Sequence, residues 1–295
     1  MIETRNTANF LYNSLRVYGR VDKKLYDKAQ GLLSTLPSAE NGQFSGKYLD
    51  CHDFADQSAK EIAWLHQKNA AFAPKIEIRK DISGLMVSRN RLLIGSTVKI
   101  SENRVEALLQ HEIGTHLLTY FNGSDQSLQL LKTGLAGYEE LQEGLAVLAE
   151  YLVGGLKYAR LRVLAARVIA AHALTEGAGF IDTFRLLHQQ YDFNPSTAFQ
   201  ITARIFRGGG LTKDIVYLRG LVKLLEHLSQ NITFNNLFVG KVGFKHIQYI
   251  DELLYRQVLS PPLILPKYLS LATATQRLAF IQKGATILDL INSEK

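Results

Sequence analysis

Two histidines and a glutamate lie close together in the segment His111-Glu-Ile-Gly-Thr-His116. A histidine pair on one helix face, with a glutamate after the first histidine, is typical of zinc peptidases, in which the usual spacing is HExxH. Here one extra residue separates the histidines, and residues five apart in a regular α-helix point about 140° away from each other. A π-type turn accommodates one more residue. We therefore predict a π-type turn, with Gly114 inside it, between His111 and His116.

The third metal ligand must come from another part of the chain, because a catalytic zinc has three protein ligands and one open position. Residues 138–146, Tyr-Glu-Glu-Leu-Gln-Glu-Gly-Leu-Ala, offer Glu139, Glu140 and Glu143. We choose Glu143, because the small residues after it would let a neighbouring helix approach closely. Glu139, one turn earlier on the same face, is predicted to hold a ligand histidine. Two histidines and a glutamate suit zinc, and we expect one Zn²⁺ per chain.

Glu112 is predicted to be the catalytic base. In zinc peptidases the residue after the first histidine faces the water that the metal activates. The metal lowers the pKa of that water toward about 7, so that a carboxylate can accept its proton and later pass it to the leaving amine. The combination of Glu112 with the histidine pair predicts a zinc metallopeptidase.

The elements that must position these residues are a small sheet and two helices. Four short segments alternate polar and apolar residues or are rich in aliphatic ones, as strands are, and a turn at 88–91 predicts a hairpin. Helical spacing dominates elsewhere, so we expect an α+β fold that is mostly α-helical and zincin-like. The predicted strands are 75–79, 84–88, 92–95 and 97–100.

The helix that carries the histidine pair is predicted to follow the sheet directly. Ser101 is a good N-cap residue, and Glu102 suits the positive end of the helix dipole. The dipeptide Asn122-Gly123 predicts the end of this helix. A second helix, which carries Glu143, is predicted at about 138–156.

Composition limits the class of protein. A chain of 295 residues can form one large domain, and we predict an N-terminal helical region at 1–74 and a catalytic domain at 75–295, together in one compact unit. The single cysteine excludes a fold stapled by intramolecular disulfides. The first twenty residues lack the apolar segment of a signal peptide, and charges interrupt the longest apolar stretch, 145–174. We therefore expect a cytoplasmic protein without a membrane span.

The net charge of +7 favours acidic partners. An acidic peptide or protein C-terminus is therefore a candidate substrate. No nucleic-acid-binding motif occurs in the chain, and we expect no nucleic acid partner.

A cationic segment near residue 210 is predicted to bind substrate. A carboxypeptidase must hold a free terminal carboxylate and supply a donor to the oxyanion. Arginine forms bidentate pairs with carboxylates. We predict that Arg207 or Lys213 binds the terminal carboxylate, that Arg204 belongs to the same cationic group, and that Tyr217 stabilises the oxyanion.

The segments HEIGTH and LQEGLA together resemble the bacterial QEGLA-motif proteins, which were labelled as modulating flavohaemoglobin expression. That family is related to the eukaryotic microtubule-associated tyrosine carboxypeptidases, which remove the C-terminal tyrosine of α-tubulin. The resemblance extends over about 76–221. It implies that His111, His116 and Glu143 are zinc ligands, that Glu112 is the catalytic glutamate, and that the enzyme releases a C-terminal residue. We carry over the chemistry and not the tubulin substrate.

Two alternatives remain open at this point. Glu139 and Glu140 could bind an N-terminal amine, which would make the protein a zinc aminopeptidase or dipeptidase. A non-catalytic zinc-containing protein that binds partners through its basic surface is the alternative of another class. Glu112 favours an enzyme, because this residue binds no metal and has no evident structural reason to lie there.

Overall fold

The computed structural model describes residues 2–7, 9–38, 46–230 and 232–292 of the chain. Within these ranges, helices dominate and two small sheets accompany them. The predicted fold class, α+β and mostly α-helical, is confirmed.

Two compact units make up the chain, and the predicted division at residue 74 stays a prediction. One boundary between the two units, between Arg219 and Gly220, lies inside the helix Ile215–Leu228. The first unit consists of Met1–Gln43 and Lys157–Arg219, and the second consists of Phe44–Leu156 and Gly220–Lys295.

The described part of the first unit is helical. The helix Tyr158–Thr175 packs against Lys23–Thr35 and against Pro195–Phe206. Arg162, buried on the first of these helices, donates hydrogen bonds of 2.9 Å to two carbonyls at the end of Lys23–Thr35, which ties those two helices together. Further helical segments are Ile2–Thr4, Asn9–Tyr18, Phe180–Arg185, Leu186–Gln190, Arg207–Gly209 and Thr212–Asp214.

A three-stranded sheet stands before the histidine helix in the second unit. Its central strand, Arg91–Gly95, pairs parallel with Lys75–Arg79 and antiparallel with Leu85–Val87. Leu92 and Ile94 of the central strand are fully buried, as expected for a strand between two neighbours. The first three predicted strands and the hairpin turn are confirmed.

The fourth predicted strand, 97–100, is wrong. The N–H of Val98 donates to the carbonyl of Gly95, so the chain turns directly after the central strand. Only Ile100–Ser101 is extended, and it pairs antiparallel with Tyr48–Leu49. This pairing is distant in sequence, and the helix Cys51–Lys68 follows it.

The histidine helix changes its winding in the middle. The predicted π-type turn is confirmed. The predicted start is wrong, because Ser101 precedes a 3₁₀ turn, Glu102–Arg104, and makes no side-chain capping hydrogen bond. The helix consists of an α segment Val105–His111, a π segment Glu112–Leu117 and an α segment Leu118–Asp125.

Side chains around the π segment explain why it forms. A Cβ atom on Gly114 would overlap Oε1 of Gln110, so a larger residue would require that amide group to shift. The hydroxyl of Thr115 donates to the backbone carbonyl of Gln110 at 3.0 Å. Both contacts join Gln110 to a residue four or five positions later, so local interactions support the wider turn.

The predicted end of the histidine helix at Asn122-Gly123 is also wrong. The Asn122 amide donates hydrogen bonds of 2.9 Å to the carbonyls of Phe238 and Ile264, and this side chain is fully buried. Gly123 lies against the backbone of Leu131, where a Cβ atom would not fit. The two residues therefore serve tertiary packing, and the helix continues through them to Asp125.

The helix that carries Glu143 spans Tyr138–Leu152 and ends earlier than the predicted 156. Every residue from Leu141 to Leu152 is buried. Gly144 meets Gly220 of the helix Ile215–Leu228, and a Cβ atom on either glycine would overlap backbone across the contact. The predicted close approach of a neighbouring helix is confirmed at Gly144.

Replacing Gly144 by alanine should lower the free energy of unfolding by about 1–3 kcal/mol, because the new methyl group has no space. Gly31→Ala is the matched control, since Gly31 lies inside a helix with nothing within 4 Å of its missing Cβ. That change should stabilise the protein by about 0.5–1 kcal/mol. Urea unfolding of both variants tests the pair, and equal effects would contradict the close contact.

The remaining helices of the second unit lie toward the C-terminus or between those already given. In the part of the chain that the structure describes, no helix combines the length and the apolar character that crossing a bilayer requires. These further helical segments are Leu130–Thr133, Phe234–Phe238, Phe244–His246, Ile247–Tyr255, Lys267–Ser270, Ala272–Gln282 and Asp289–Asn292.

Candidate metal centre

The structure brings together the three residues predicted to bind metal. One ligand atom each of His111, His116 and Glu143 lies within 4.8 Å of the other two. The Nε2 atoms of both histidines are 3.5 Å from the Oε2 atom of Glu143. The π turn makes this convergence possible, since it returns the second histidine to the same side of the helix as the first.

The spacing of these atoms fits a tetrahedral ion. Ligands about 2.1 Å from a tetrahedral zinc ion stand about 3.4 Å apart, close to the observed 3.5 Å. The Oε2 atom of Glu143 is buried, and its contacts of 3.5 Å with the two histidine nitrogens are at the outer limit of a hydrogen bond. A buried carboxylate oxygen that is so weakly hydrogen-bonded is costly unless a cation meets it. The donor set of two imidazoles and one carboxylate therefore fits zinc.

A buried carboxylate orients the first histidine. The Nδ1 atom of His111 lies 3.0 Å from Oε1 of Glu150, and Arg104 donates to the other oxygen of Glu150 at 2.7 Å. The predicted holder of a ligand histidine was Glu139, but for His111 that contact belongs to Glu150. A signal for it exists in the sequence, because Glu150 follows Glu143 by seven residues and thus lies on the same helix face.

The charges around the donor atoms favour a cation. Burial lowers the pKa of His111, but hydrogen bonds to Glu143 and Glu150 and the charge of Glu112 outweigh it and raise that pKa to about 10. Burial raises the pKa of Glu143, but the charge of His116 and hydrogen bonds from both histidines outweigh it and hold that pKa well below its usual range. A proton on His111 thus offsets the negative charge of the neighbouring carboxylates. A divalent cation bound here would displace that proton and take over this role.

Metal affinity should therefore continue to rise with pH above the ordinary titration range of histidine. Below its pKa of about 10, His111 carries a proton that a metal ion must displace. We expect the apparent zinc affinity to rise about tenfold per pH unit between about pH 7 and 8.5. A histidine with an ordinary pKa of about 6.5 would give a plateau there. Competition titrations with a fluorescent chelator separate the two cases.

Glu112 lies in the π turn directly after the first histidine. It is buried, and its charge reaches His111. The next helix is tied to the α segment that follows this turn, because the hydroxyl of Thr119 donates a hydrogen bond of 2.8 Å to the amide oxygen of Gln142. Glu112, the predicted base, therefore lies between the two candidate histidine ligands in the sequence. Its catalytic role stays a prediction.

The predicted substrate-binding residues belong to the first unit, whereas the candidate ligands belong to the second. Arg204 forms a bidentate pair with Asp214 at 2.7 and 2.8 Å. The ring of Tyr217 faces the guanidinium of Arg167, whose pKa burial lowers to about 10 against the opposing charge of Asp214. Arg207 is exposed and Lys213 is half-buried. The substrate-binding roles assigned to these residues stay predictions.

Comparison with known proteins decides the family. A family model described as microtubule-associated tyrosine carboxypeptidase matches residues 1–286. The chain belongs to this family. The relationship inferred from HEIGTH and LQEGLA is thereby confirmed.

Curated relatives carry the same family name. The mouse (Mus musculus) microtubule-associated tyrosine carboxypeptidase 1 is 29% identical over 161 residues, which cover 50% of this chain and 33% of that protein. The human (Homo sapiens) protein is 29% identical over 161 residues, which cover 50% of this chain and 32% of that protein. The chain thus spans about a third of the length of the curated relatives it matches.

Two solved bacterial structures are also similar. A proposed lipoprotein of unknown function from Shewanella oneidensis has a TM-score of 0.49 and 14% identity, covering 85% of this chain and 60% of its own. A proposed lipoprotein from Colwellia psychrerythraea has a TM-score of 0.49 and 12% identity, covering 96% of this chain and 55% of its own.

Proposed function

We propose that this chain is a zinc-dependent carboxypeptidase that releases the C-terminal residue of a peptide or protein. The observation that carries the proposal is the convergence of His111, His116 and Glu143, in which both histidine Nε2 atoms lie 3.5 Å from one buried Glu143 oxygen. Membership of a family named for carboxypeptidases supports cleavage at the C-terminal end. We also infer a zincin-like core, in which a small sheet precedes the histidine helix and a second helix supplies the third ligand.

The chain's own residues divide the work of peptide hydrolysis. When bound, a zinc ion acidifies water and polarises a carbonyl group. Glu112 accepts the proton of the attacking water at its carboxylate and returns it to the nitrogen of the leaving residue. Glu150 contacts Nδ1 of the His111 ring and so orients the ring with Nε2 toward Glu143, where it would hold the ion.

The structure disfavours the aminopeptidase alternative. That alternative needs acidic side chains that can bind an N-terminal amine. Glu140 forms an ion pair with Lys223, and the charge of Glu139 acts on Lys241. Both carboxylates therefore already have cationic neighbours, and we retain the carboxypeptidase.

Metal content and peptide cleavage, measured on the same sample, test the proposal. We expect one zinc per chain by elemental analysis and release of tyrosine from a peptide that ends in Glu-Tyr. A C-terminal tyrosine is the first choice because the family is named for it. Removal of the metal with a chelator should stop the release, and added zinc should restore it. A chain without stoichiometric zinc, or a zinc-loaded chain that cleaves no member of a C-terminal peptide library, would refute the proposal.

A further inference from the structure

Glu61 is a buried carboxylate that joins a separate helix to the histidine helix. It lies on the helix Cys51–Lys68, and 4% of its surface is exposed. Its Oε1 atom accepts a hydrogen bond of 2.9 Å from Nε2 of Gln110, and its Oε2 atom lies 3.3 Å from Nζ of Lys267. Acidic side chains are rarely buried unless they are paired. The two contacts therefore account for the buried carboxylate, and one of them reaches the residue directly before the first candidate ligand.

Two carboxylates decide which way the amide group of Gln110 points. Its Nε2 atom donates to Glu61 and, at 3.1 Å, to Oε1 of Glu106 one turn earlier on the same helix. The opposite orientation would place a carbonyl oxygen, which cannot donate, against two carboxylates. The Oε1 atom of Gln110 must therefore face away from the acids, although it is buried and accepts no hydrogen bond from the described residues. A buried oxygen in that state is costly, so the acids determine its position.

The Oε1 atom of Gln110 lies against the π segment. It occupies the space that a Cβ atom on Gly114 would take. The backbone carbonyl of Gln110 accepts from the hydroxyl of Thr115 at 3.0 Å, so this residue contacts the middle of the turn through both its side chain and its backbone. The extra residue of the turn brings His111 and His116 to one side of the helix. A group that holds Gln110 in place therefore acts on the spacing of the two histidines.

We propose that Glu61 is a positioning residue of the metal centre, which holds the Gln110 amide against Gly114 and so keeps the helix in its π form. This inference rests on the proposed zinc-dependent function. Replacing buried charged groups by apolar residues of similar volume is often neutral or stabilising, so stability alone does not explain a carboxylate at this position. The orientation of Gln110 is what the carboxylate adds. All these residues belong to the second unit.

The zinc affinity of folded variants, measured by chelator competition, tests this role. Glu61→Leu removes the acceptor and leaves a side chain of similar size. We expect this variant to bind zinc about tenfold more weakly, the lower end of the range for residues that orient metal ligands. Glu61→Gln keeps an oxygen that can accept from Gln110, so it should keep most of the affinity. Co²⁺ bound in place of zinc should give an altered visible absorption spectrum in Glu61→Leu, because the spectrum depends on coordination geometry.

Lys267→Met is the matched control. It removes the other partner of Glu61 and leaves the contact with Gln110. Urea unfolding of metal-free protein should show a lower midpoint for this variant, because the buried carboxylate loses its cation. Its zinc affinity and its Co²⁺ spectrum should nevertheless match those of the unaltered protein. A role of Glu61 in stability alone predicts the reverse, with zinc affinity falling wherever stability falls.

A double variant shows whether Glu61 acts through Gln110. Gln110→Met removes the amide group and should weaken zinc binding about as much as Glu61→Leu does. Combining the two changes should cause no further loss, because changes that remove one shared interaction are not additive. If Glu61→Leu fails to fold, Glu61→Met replaces it with a more adaptable side chain.

The possible failures are distinguishable. Unchanged zinc affinity and an unchanged Co²⁺ spectrum in folded Glu61→Leu protein overturn the role of Glu61. Equal losses of affinity in the Glu61 and Lys267 variants also overturn it, as do additive losses in the double variant. An unaltered protein that binds no zinc overturns the proposed function and this role together. A zinc-loaded protein that cleaves no peptide overturns only the proposed carboxypeptidase function, because the binding measurements do not depend on turnover.

Discussion

The Glu112→Gln variant should bind one zinc ion per chain, as the unaltered protein should, and release C-terminal residues about 10³-fold more slowly. The slower rate follows from the loss of a proton acceptor, for which losses of 10²- to 10⁴-fold are typical. Metal binding should persist because His111, His116 and Glu143 supply the donor atoms. Glutamine has nearly the same shape as glutamate, so the buried position remains filled.

The measurement is single-turnover release of tyrosine, with zinc content determined on the same sample. Glu102→Gln is the control, because it removes an exposed carboxylate three turns earlier in the same part of the chain. It should leave both zinc content and rate unchanged. A Glu112→Gln protein with full zinc and an undiminished rate would show that another residue is the base.

The Glu150→Gln variant should bind zinc about 10- to 100-fold more weakly and lose about 3 kcal/mol of stability. Glu150 is completely buried and accepts from Arg104 through one oxygen while the other faces His111. A glutamine has only one acceptor oxygen, so either Arg104 or His111 must lose its partner. Breaking a buried ion pair on one side leaves an uncompensated charge, which explains the size of the stability loss.

Arg104→Met separates the two effects of Glu150. This variant breaks the same ion pair but leaves the contact between Glu150 and His111, so it should lose stability and keep most of its zinc affinity. Urea unfolding of metal-free protein and chelator competition measure the two quantities separately. If both variants lose zinc affinity equally, the carboxylate acts through the ion pair and not through the histidine ring.

Local sequence patterns predicted the parts of the fold that depend on local contacts. The strand 75–79 and the hairpin follow from alternation and a turn, and the π turn follows from the spacing of the ligands. The wrong helix end arose where distant contacts decide. Asn122-Gly123 has the composition of a helix end, yet Asn122 binds carbonyls more than one hundred residues away.

The residues of the candidate site were predictable where they lie close together in the sequence. The histidines and Glu112 lie within six residues, and Glu143 lies in a segment of only three candidate acids. Glu139 was predicted to hold a ligand histidine because it lies one turn before Glu143, whereas the carboxylate that contacts His111 is Glu150, two turns beyond Glu143.

The π turn hardly changes which way the side chains of the flanking α segments point. A π turn uses five residues where an α turn uses four, so the faces before His111 and after His116 keep nearly the relation that an HExxH helix would give them. The inserted residue is absorbed between the two histidines, and Tyr120 and Asn122 meet their neighbours as they would in a regular helix. Two different sequence spacings can therefore present one metal-binding geometry to the same surroundings, and a search for one fixed histidine spacing would overlook the sites that have the other.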